Sequence, residues 1–300
     1  MDHDDFPVGQ GHGIEGHFAG LPEEFSNLKD SKIVIFQVPF DKTTTYQQGT
    51  DKGPAALIEA SRNLELYHIP TGTQVYEHGI YTFPAIEYRD SEHMLESTYE
   101  QVLELLRQGK FVVTLGGEHS ISAAPIRAHA EFFKSGISVL QFDAHADLQP
   151  AYEGNPLSHA SVMARVIEIP SIKGVTAVGI RSMSSEELEN QKQVKTFFCH
   201  DLFDSDAWMD DVVNSLSDQV YLTFDLDVFD SSVMPSTGTP EPGGLFWHQV
   251  LKLLRKVIQK KNLIGCDIVE LLPNEANVAP DFLAARLVYE ILSYKFKYNS

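Results

Sequence analysis

The segment Ser138-Val-Leu-Gln-Phe-Asp143-Ala-His145-Ala-Asp147 joins a largely apolar run to three polar side chains at positions i, i+2 and i+4. Apolar residues at successive positions are typical of a strand that is buried on both faces, as in a parallel sheet. Alternate residues of an extended chain share a face and lie roughly 6 to 7 Å apart, so the three polar side chains can converge on one site. We therefore expect a buried parallel strand that ends in a cluster of potential ligands.

Further short runs of the same kind occur along the chain and alternate with longer amphipathic stretches. This alternation predicts a parallel sheet wrapped by helices. Helical patterns cover residues 91–108 and 247–261, Pro54 is typical of a helix start, and Ser184 with Glu187 is typical of a capping box. The predicted strands are Ile33 to Val38, Phe111 to Leu115, Ser138 to Phe142, Val175 to Ile180, Val220 to Phe224 and Leu263 to Val269.

The chain has 300 residues, of which 43% are hydrophobic, and this is enough to bury a large core. No internal repeat, low-complexity segment or Pro/Ser-rich linker marks a domain boundary. We expect a single domain over residues 1–300, with an N-terminal extension at 1–31 and a catalytic core at about 32–295. The fold class that these patterns predict is α/β, with three layers (α/β/α) around a mainly parallel sheet.

Composition excludes several classes of partner. The formal net charge of -19, from 42 acidic and 23 basic residues, disfavours nucleic acid and favours cations. No secretion signal and no run of 18 apolar residues is visible, so we expect no membrane span. The two cysteines, Cys199 and Cys266, match no disulfide framework or zinc motif, which favours a cytoplasmic location.

Two more predicted strands end in ligand-type residues. Asp225 and Asp227 end the run Leu222-Thr-Phe-Asp225-Leu-Asp227, and Phe111 to Leu115 leads into Gly116-Gly117-Glu118-His119. Open parallel sheets place their sites at the carboxyl ends of the strands, so the three clusters should meet. A lone Asp-x-Asp is usually a surface turn and a lone His is usually a packed core residue. Three such fragments, each after a buried strand, favour a metal site instead.

Charge and ligand type indicate which metals would fit. The four aspartates Asp143, Asp147, Asp225 and Asp227 carry four negative charges, which two divalent cations would balance. Without cations, carboxylates gathered at the end of a sheet would repel each other. Mixed imidazole and carboxylate ligands suit Mn²⁺, Zn²⁺, Fe²⁺ or Ni²⁺ better than Mg²⁺ or Ca²⁺.

The motifs Gly-Gly-Glu-His119, Asp143-Ala-His145-Ala-Asp147 and Asp225-Leu-Asp227 resemble the three signature motifs of the ureohydrolases, the arginase and agmatinase family. The likeness extends from about Val34 to Leu287. The segments Pro39-Phe40-Asp41, Gly49-Thr-Asp-Lys-Gly53-Pro54 and Thr237-Gly-Thr-Pro-Glu-Pro-Gly-Gly244 resemble agmatinases in particular. The resemblance implies about eight strands, a homo-oligomer (trimer or hexamer) and two Mn²⁺ per chain, with Ni²⁺, Zn²⁺ or Fe²⁺ as alternatives.

The resemblance also implies a role for each ligand. One manganese would be held by His119, Asp143, Asp147 and Asp225, and the other by His145, Asp143, Asp225 and Asp227. Asp143 and Asp225 would then bridge the two ions, which activate water for hydrolysis. Asp147 would also help to protonate the leaving nitrogen.

Two further residues resemble family positions. Glu270, after the last predicted strand, resembles the glutamate that receives the substrate guanidinium, which a carboxylate can bind through parallel hydrogen bonds. On its own it would be interpreted as a surface residue at a strand end. His159 resembles the histidine that transfers protons at the mouth of the site. Ala160 stands where many relatives have Gly, and Ser231 stands where Pro is frequent.

The implied reaction is hydrolysis of a small cationic guanidino substrate to urea and an amine. Agmatine, which gives putrescine and urea, is the first expectation, and the loop from Leu148 to His159 would select it, with Glu153 and Asn155 as substrate-binding residues. Arginine, guanidinobutyrate, aminopropylagmatine and guanidine are alternatives within the same chemistry, and Asn155 and Ser158 are residue types that suit arginine's carboxylate. A metal-dependent amide deacetylase of the same fold or an inactive metal-binding relative would represent a different class.

Overall fold

The computed structural model describes residues 15–299. Its central element is an eight-stranded sheet with the order β2-β1-β3-β8-β7-β4-β5-β6. Every neighbouring pair of strands is parallel, which confirms the predicted fold class. The strands are β1 (Ile33–Val38), β2 (Ile80–Thr82), β3 (Phe111–Gly116), β4 (Ile137–Phe142), β5 (Ile172–Ile180), β6 (Val194–Phe198), β7 (Gln219–Asp225) and β8 (Asn262–Val269).

Helices cover both faces of the sheet. Side chains of α2, α7, α8 and α9 share a core with one face, and side chains of α3, α4 and α5 pack on the other. The short helices α1 and α6 lie beside the edge strands. The bounds are α1 (Glu23–Ser26), α2 (Gly53–Ser61), α3 (Ser91–Arg107), α4 (Ala123–Phe132), α5 (Val162–Ile167), α6 (Leu188–Gln191), α7 (Trp208–Ser215), α8 (Trp247–Lys260) and α9 (Ala279–Tyr298).

Strand β1 shows why the predicted strands are apolar throughout. Ile33 and Ile35 point into the core beneath α2 and α9, whereas Val34 and Phe36 point into the core beneath α3. All four side chains are fully buried. Because burying such a side chain contributes about 1.5–3 kcal/mol, helices on both faces stabilise the same strand.

The local predictions agree with the structure except at the edges of the sheet. The helices predicted at 91–108 and 247–261 are α3 and α8, Pro54 lies at the start of α2, and the backbone N–H of Ser184 donates to Glu187. Strands β2 and β6 were not predicted, because β2 has only three residues and β6 is mostly half-buried. Of the expected extension at 1–31, residues 15–31 are described. Phe18 is buried, and its backbone N–H donates to the hydroxyl of Thr82 in β2.

The strand order brings the ligand-bearing strands together. Strands β3, β8, β7 and β4 are consecutive neighbours in the middle of the sheet. Since all of them run in the same direction, their carboxyl ends meet at one edge. The polar residues that follow these four strands therefore lie within reach of one another.

Candidate metal centre and substrate cavity

The structure brings the six predicted ligands and Glu270 to the carboxyl edge of the four central strands. His119 follows β3, three residues follow β4, Asp225 ends β7 and Glu270 follows β8. Most of these side chains are buried, and His145 is half-buried. They form two groups that could each hold a metal ion, His119 with Asp143 and Asp225, and His145 with Asp143 and Asp227.

The first group surrounds the Nδ1 atom of His119. Carboxylate oxygens of Asp143, Asp147 and Asp225 lie 3.1, 3.0 and 3.4 Å from it. Among the described residues this buried nitrogen has no hydrogen-bond partner. Ligand atoms about 2.0–2.2 Å from one ion stand roughly 3 Å from each other, so this donor set fits a cation.

The second group surrounds the Nδ1 atom of His145. Oδ2 of Asp227 lies 2.9 Å away and Oδ1 of Asp143 lies 3.8 Å away. Asp143 therefore directs Oδ2 to the first group and Oδ1 to the second, as a bridging carboxylate does. Asp225 directs Oδ2 to His119, whereas its Oδ1 accepts from the backbone N–H of Asp227.

The metal-free electrostatics of the cluster are those of crowded carboxylates. Burial and the charge of Asp147 raise the pKa of Asp143 to about 7, and burial with the charges of Asp227 and Asp143 raises the pKa of Asp225 well above its usual range. Burial disfavours the charged ring of His145, but Asp227 outweighs it and raises the pKa of His145 to about 10. A divalent cation bound to these atoms would compete with their protons.

A buried polar row lies directly beneath the ligands. Its members face each other across four strands in register and are fully buried. Thr223 Oγ1 lies 2.9 Å from His119 Nε2 and donates to Asp267 at 2.7 Å, and Gln141 donates to Asp143 at 2.8 Å. Such contacts orient ligand side chains. The row, which was not predicted, consists of Thr114, Asp267, Thr223 and Gln141.

A cavity of about 200 Å³ opens above the two groups. Glu270 is a buried residue of its lining, where Oε1 accepts from the backbone N–H of His119 at 2.7 Å and Oε2 lies near Gly238. Burial and then the charge of Glu118 raise the pKa of Glu270 well above its usual range. Glu270 and Asp147 both have positive φ angles, of 66° and 55°. Strained backbone of this kind is concentrated at functional sites.

Of the other predicted residues, one lines the cavity and two do not. His159 lines the cavity together with Gln149, Tyr152 and Tyr46, the last of which is 73% exposed. Glu153 and Asn155 do not line the cavity. Asn155 and Tyr152 exchange two backbone hydrogen bonds, and Oδ1 of Asn155 accepts from the backbone N–H of Leu157. The side-chain oxygen of Asn155 is therefore engaged within its own turn.

Ser158, the other residue type suited to a substrate carboxylate, is buried and donates to Ser161. It too is missing from the cavity lining. The lining does contain residues that were not predicted, including Gln47, Gln149 and Thr239. Gln149 lies in the loop that was expected to select the substrate and Thr239 lies in an agmatinase-like segment, but the sequence did not indicate which side chains of these stretches line the cavity.

A model of the arginase family matches residues 31–293. The chain belongs to the arginase family. An N(1)-aminopropylagmatine ureohydrolase of Synechocystis sp. is 34% identical to it over 91% of this chain and 92% of that protein. An agmatinase of Pyrococcus horikoshii is 31% identical over 89% of this chain and 93% of that protein. The crystal structure of agmatine ureohydrolase of Thermoplasma volcanium has a TM-score of 0.84 and 31% identity, covering 91% and 93% of the two chains.

Membership confirms the predicted enzyme class. This member of the arginase family is a ureohydrolase-type hydrolase that acts on carbon–nitrogen bonds of guanidino groups. The buried His/Asp groups agree with a metal-dependent enzyme. Across residues 15–299, no helix combines the length and apolarity that a bilayer span requires.

Proposed function

We propose that this enzyme hydrolyses agmatine to putrescine and urea. The observation that supports this choice is the charge of the cavity, whose lining among the described residues contains Glu270 and the acidic ligands but no Lys or Arg. Arginine would bring an α-carboxylate that has no cationic partner there. An unpaired desolvated carboxylate costs several kcal/mol, whereas agmatine carries no carboxylate that would need such a partner.

The proposed cofactor is a pair of Mn²⁺ ions. His119, Asp143, Asp147 and Asp225 would hold one ion, and His145, Asp143, Asp225 and Asp227 the other. The division of the Asp143 oxygens between the two groups supports a shared ligand. When bound, such a metal pair supplies activated water near neutral pH.

The chain's own residues would bind the substrate and move protons. The Oε2 atom of Glu270 is the proposed acceptor for the guanidinium, because Oε1 is occupied by the backbone of His119. Asp147, beside His119, would protonate the leaving nitrogen. His159 at the mouth would exchange protons with solvent.

N(1)-aminopropylagmatine is the second candidate substrate. The Synechocystis enzyme of that name and a counterpart in Thermus thermophilus, at 35% identity over 91% of this chain, support it. Tyr46, which lines the cavity, is exposed, so the cavity reaches the surface, where a longer amine tail would extend. Both candidates share the guanidinium end and differ only beyond the mouth.

Urea release from Mn²⁺-loaded protein tests these assignments. We expect kcat/KM for agmatine to exceed that for arginine by at least roughly 100-fold, which corresponds to about 2.7 kcal/mol. A preference for arginine would contradict the charge-based choice. A further preference of roughly tenfold or more for N(1)-aminopropylagmatine over agmatine, about 1.4 kcal/mol, would replace the first candidate by the second.

The oligomeric state and the cellular location of the enzyme are also proposals. We propose a homo-oligomer, a trimer or hexamer, in the cytoplasm. The two cysteines are buried and unpaired, which agrees with a reducing compartment. Light scattering of the purified protein measures the oligomeric state directly.

A further inference from the structure

Glu118 is a fully buried carboxylate outside the two metal-binding groups. Its Oε2 accepts from the backbone N–H groups of Lys42 and Thr43, at 2.9 and 2.7 Å. Its Oε1 accepts from the hydroxyls of Thr43 and Ser120, at 2.6 and 2.5 Å. All four contacts come from donors, so Glu118 acts as an acceptor only and fixes the loop that contains Thr43.

The hydroxyl of Thr43 links Glu118 to His159. A hydroxyl has one proton to donate and two lone pairs to accept with. The proton of Thr43 goes to Glu118 Oε1. One lone pair accepts from the backbone N–H of His159 at 3.0 Å, and the other faces Nδ1 of the same residue at 3.2 Å.

We infer that Glu118 and Thr43 fix the tautomer of His159, with the proton on Nδ1 and the lone pair of the neutral ring on Nε2. With its proton committed to Glu118, Thr43 can only accept from the ring, so Nδ1 must donate. Since the ring lines the cavity, Nε2 is then the nitrogen that can take a proton from a molecule there. Thr43 is thus a positioning residue that acts through His159.

The consequence for turnover rests on the proposed function, in which His159 transfers protons. A neutral imidazole with its proton on the wrong nitrogen cannot accept another from the cavity, and a positioned general base is worth roughly 10²–10⁴-fold in rate. The tautomer itself does not depend on that role. The two statements can therefore be tested separately.

The direct test is a two-bond ¹⁵N–¹H correlation spectrum of the full chain, labelled with ¹⁵N-histidine and loaded with diamagnetic Zn²⁺. The His159 signals are assigned by their loss in His159→Asn, and spectra are recorded at a pH where the ring is neutral. We expect the Nδ1–H tautomer in the wild type and in Thr43→Ser, and a mixture of tautomers in Thr43→Val. A wild-type ring protonated on Nε2 overturns the inference, whatever the effect of His159 on turnover.

A double-mutant cycle tests the consequence for turnover. Thr43→Val should lower kcat by roughly 10- to 100-fold with KM and metal content unchanged, and Thr43→Ser should restore it. In the His159→Asn background Thr43→Val should have no further effect, because it acts through the missing ring. Additive losses would contradict this role. They would show that Thr43→Val causes a general structural defect, which lowers activity whether or not the His159 ring is present.

Thr176→Val is the matched control for the loss of a buried threonine hydroxyl. Thr176 is buried and bonds Ser215 at 2.8 Å, away from the cavity lining. Its kcat should equal that of the wild type. If His159→Asn itself leaves kcat unchanged, the proton-transfer role of His159 fails and the spectrum alone decides the inference.

Discussion

Glu270→Gln replaces one carboxylate oxygen by an amide nitrogen and removes a charge without changing the shape of the side chain. In the structure Oε1 of Glu270 accepts from the backbone N–H of His119, and a glutamine oxygen can keep that bond. The amide nitrogen would then take the place of Oε2, near Gly238 in the cavity lining. The guanidinium group of the substrate, which only donates hydrogen bonds, would then face a donor instead of an acceptor.

The expected loss of kcat/KM follows from the burial of Glu270. Glu270 is only 8% exposed, so its contact with a cation is little screened by water. Removing one partner of a buried, hydrogen-bonded charge pair costs about 2–5 kcal/mol, and we take about 3–5 kcal/mol because a donor also replaces an acceptor. At about 1.36 kcal/mol per factor of ten, kcat/KM for agmatine should fall by roughly 150- to 5000-fold.

The assay is colorimetric urea release, with metal content measured by elemental analysis on the same samples. Both ions should remain, because Glu270 belongs to neither metal-binding group. Glu290→Gln is the matched control, since Glu290 is also 8% exposed and pairs instead with His68. A Glu270→Gln enzyme with near wild-type kcat/KM would refute the assignment of the guanidinium site, and loss of metal would show that Glu270 supports the ligands instead.

Three other perturbations test the metal centre. Asp143→Asn should lower the affinity for both ions at least roughly tenfold, because the two carboxylate oxygens of Asp143 face different metal-binding groups. A metal titration that shows one ion still bound at full affinity would contradict this prediction. Thr223→Val should weaken the ion beside His119 by roughly 10- to 100-fold while Thr223→Ser retains it, as measured by calorimetric metal titration. The pKa of His145 in the metal-free protein is raised from 6.5 to about 10, so the stability that it contributes is present below pH 6.5 and lost as the pH rises towards 10. The difference in Tm between the protein with and without Mn²⁺ should therefore become larger from about pH 6.5 to about pH 9. A difference that becomes smaller over this range would contradict the interpretation.

The central strands, and the clustering of the candidate ligands at their ends, could be predicted because their signals are local. A strand buried on both faces is apolar at successive positions, and polar residues at its end stand out, as Asp143 and Asp225 do. The edge strands gave no such signal, since only one residue of β6 is buried and β2 has three residues. A half-exposed strand can be polar, and its pattern then resembles that of a loop.

Contacts between distant segments could not be predicted. Asp267 and Thr223 are visible as polar residues within apolar strands, but only the register of β7 with β8 shows that they face each other beneath His119. Thr43 and His159 are 116 residues apart in the sequence. Asn155 had a suitable side chain, yet its Oδ1 accepts from the backbone N–H of Leu157 within the same turn, a contact that spacing alone cannot reveal.

The position of β8 has a consequence for how the chain is made. Strand β8 pairs with β3 on one side and β7 on the other, so it joins a half-sheet of β2, β1 and β3 to a half-sheet of β7, β4, β5 and β6. During synthesis the two half-sheets emerge from the ribosome before the strand that unites them, and each exposes an unpaired inner edge until it arrives. His119 and Asp143 lie on opposite sides of that gap, so the two candidate metal-binding groups are brought together in the nascent chain only after its last strand has inserted.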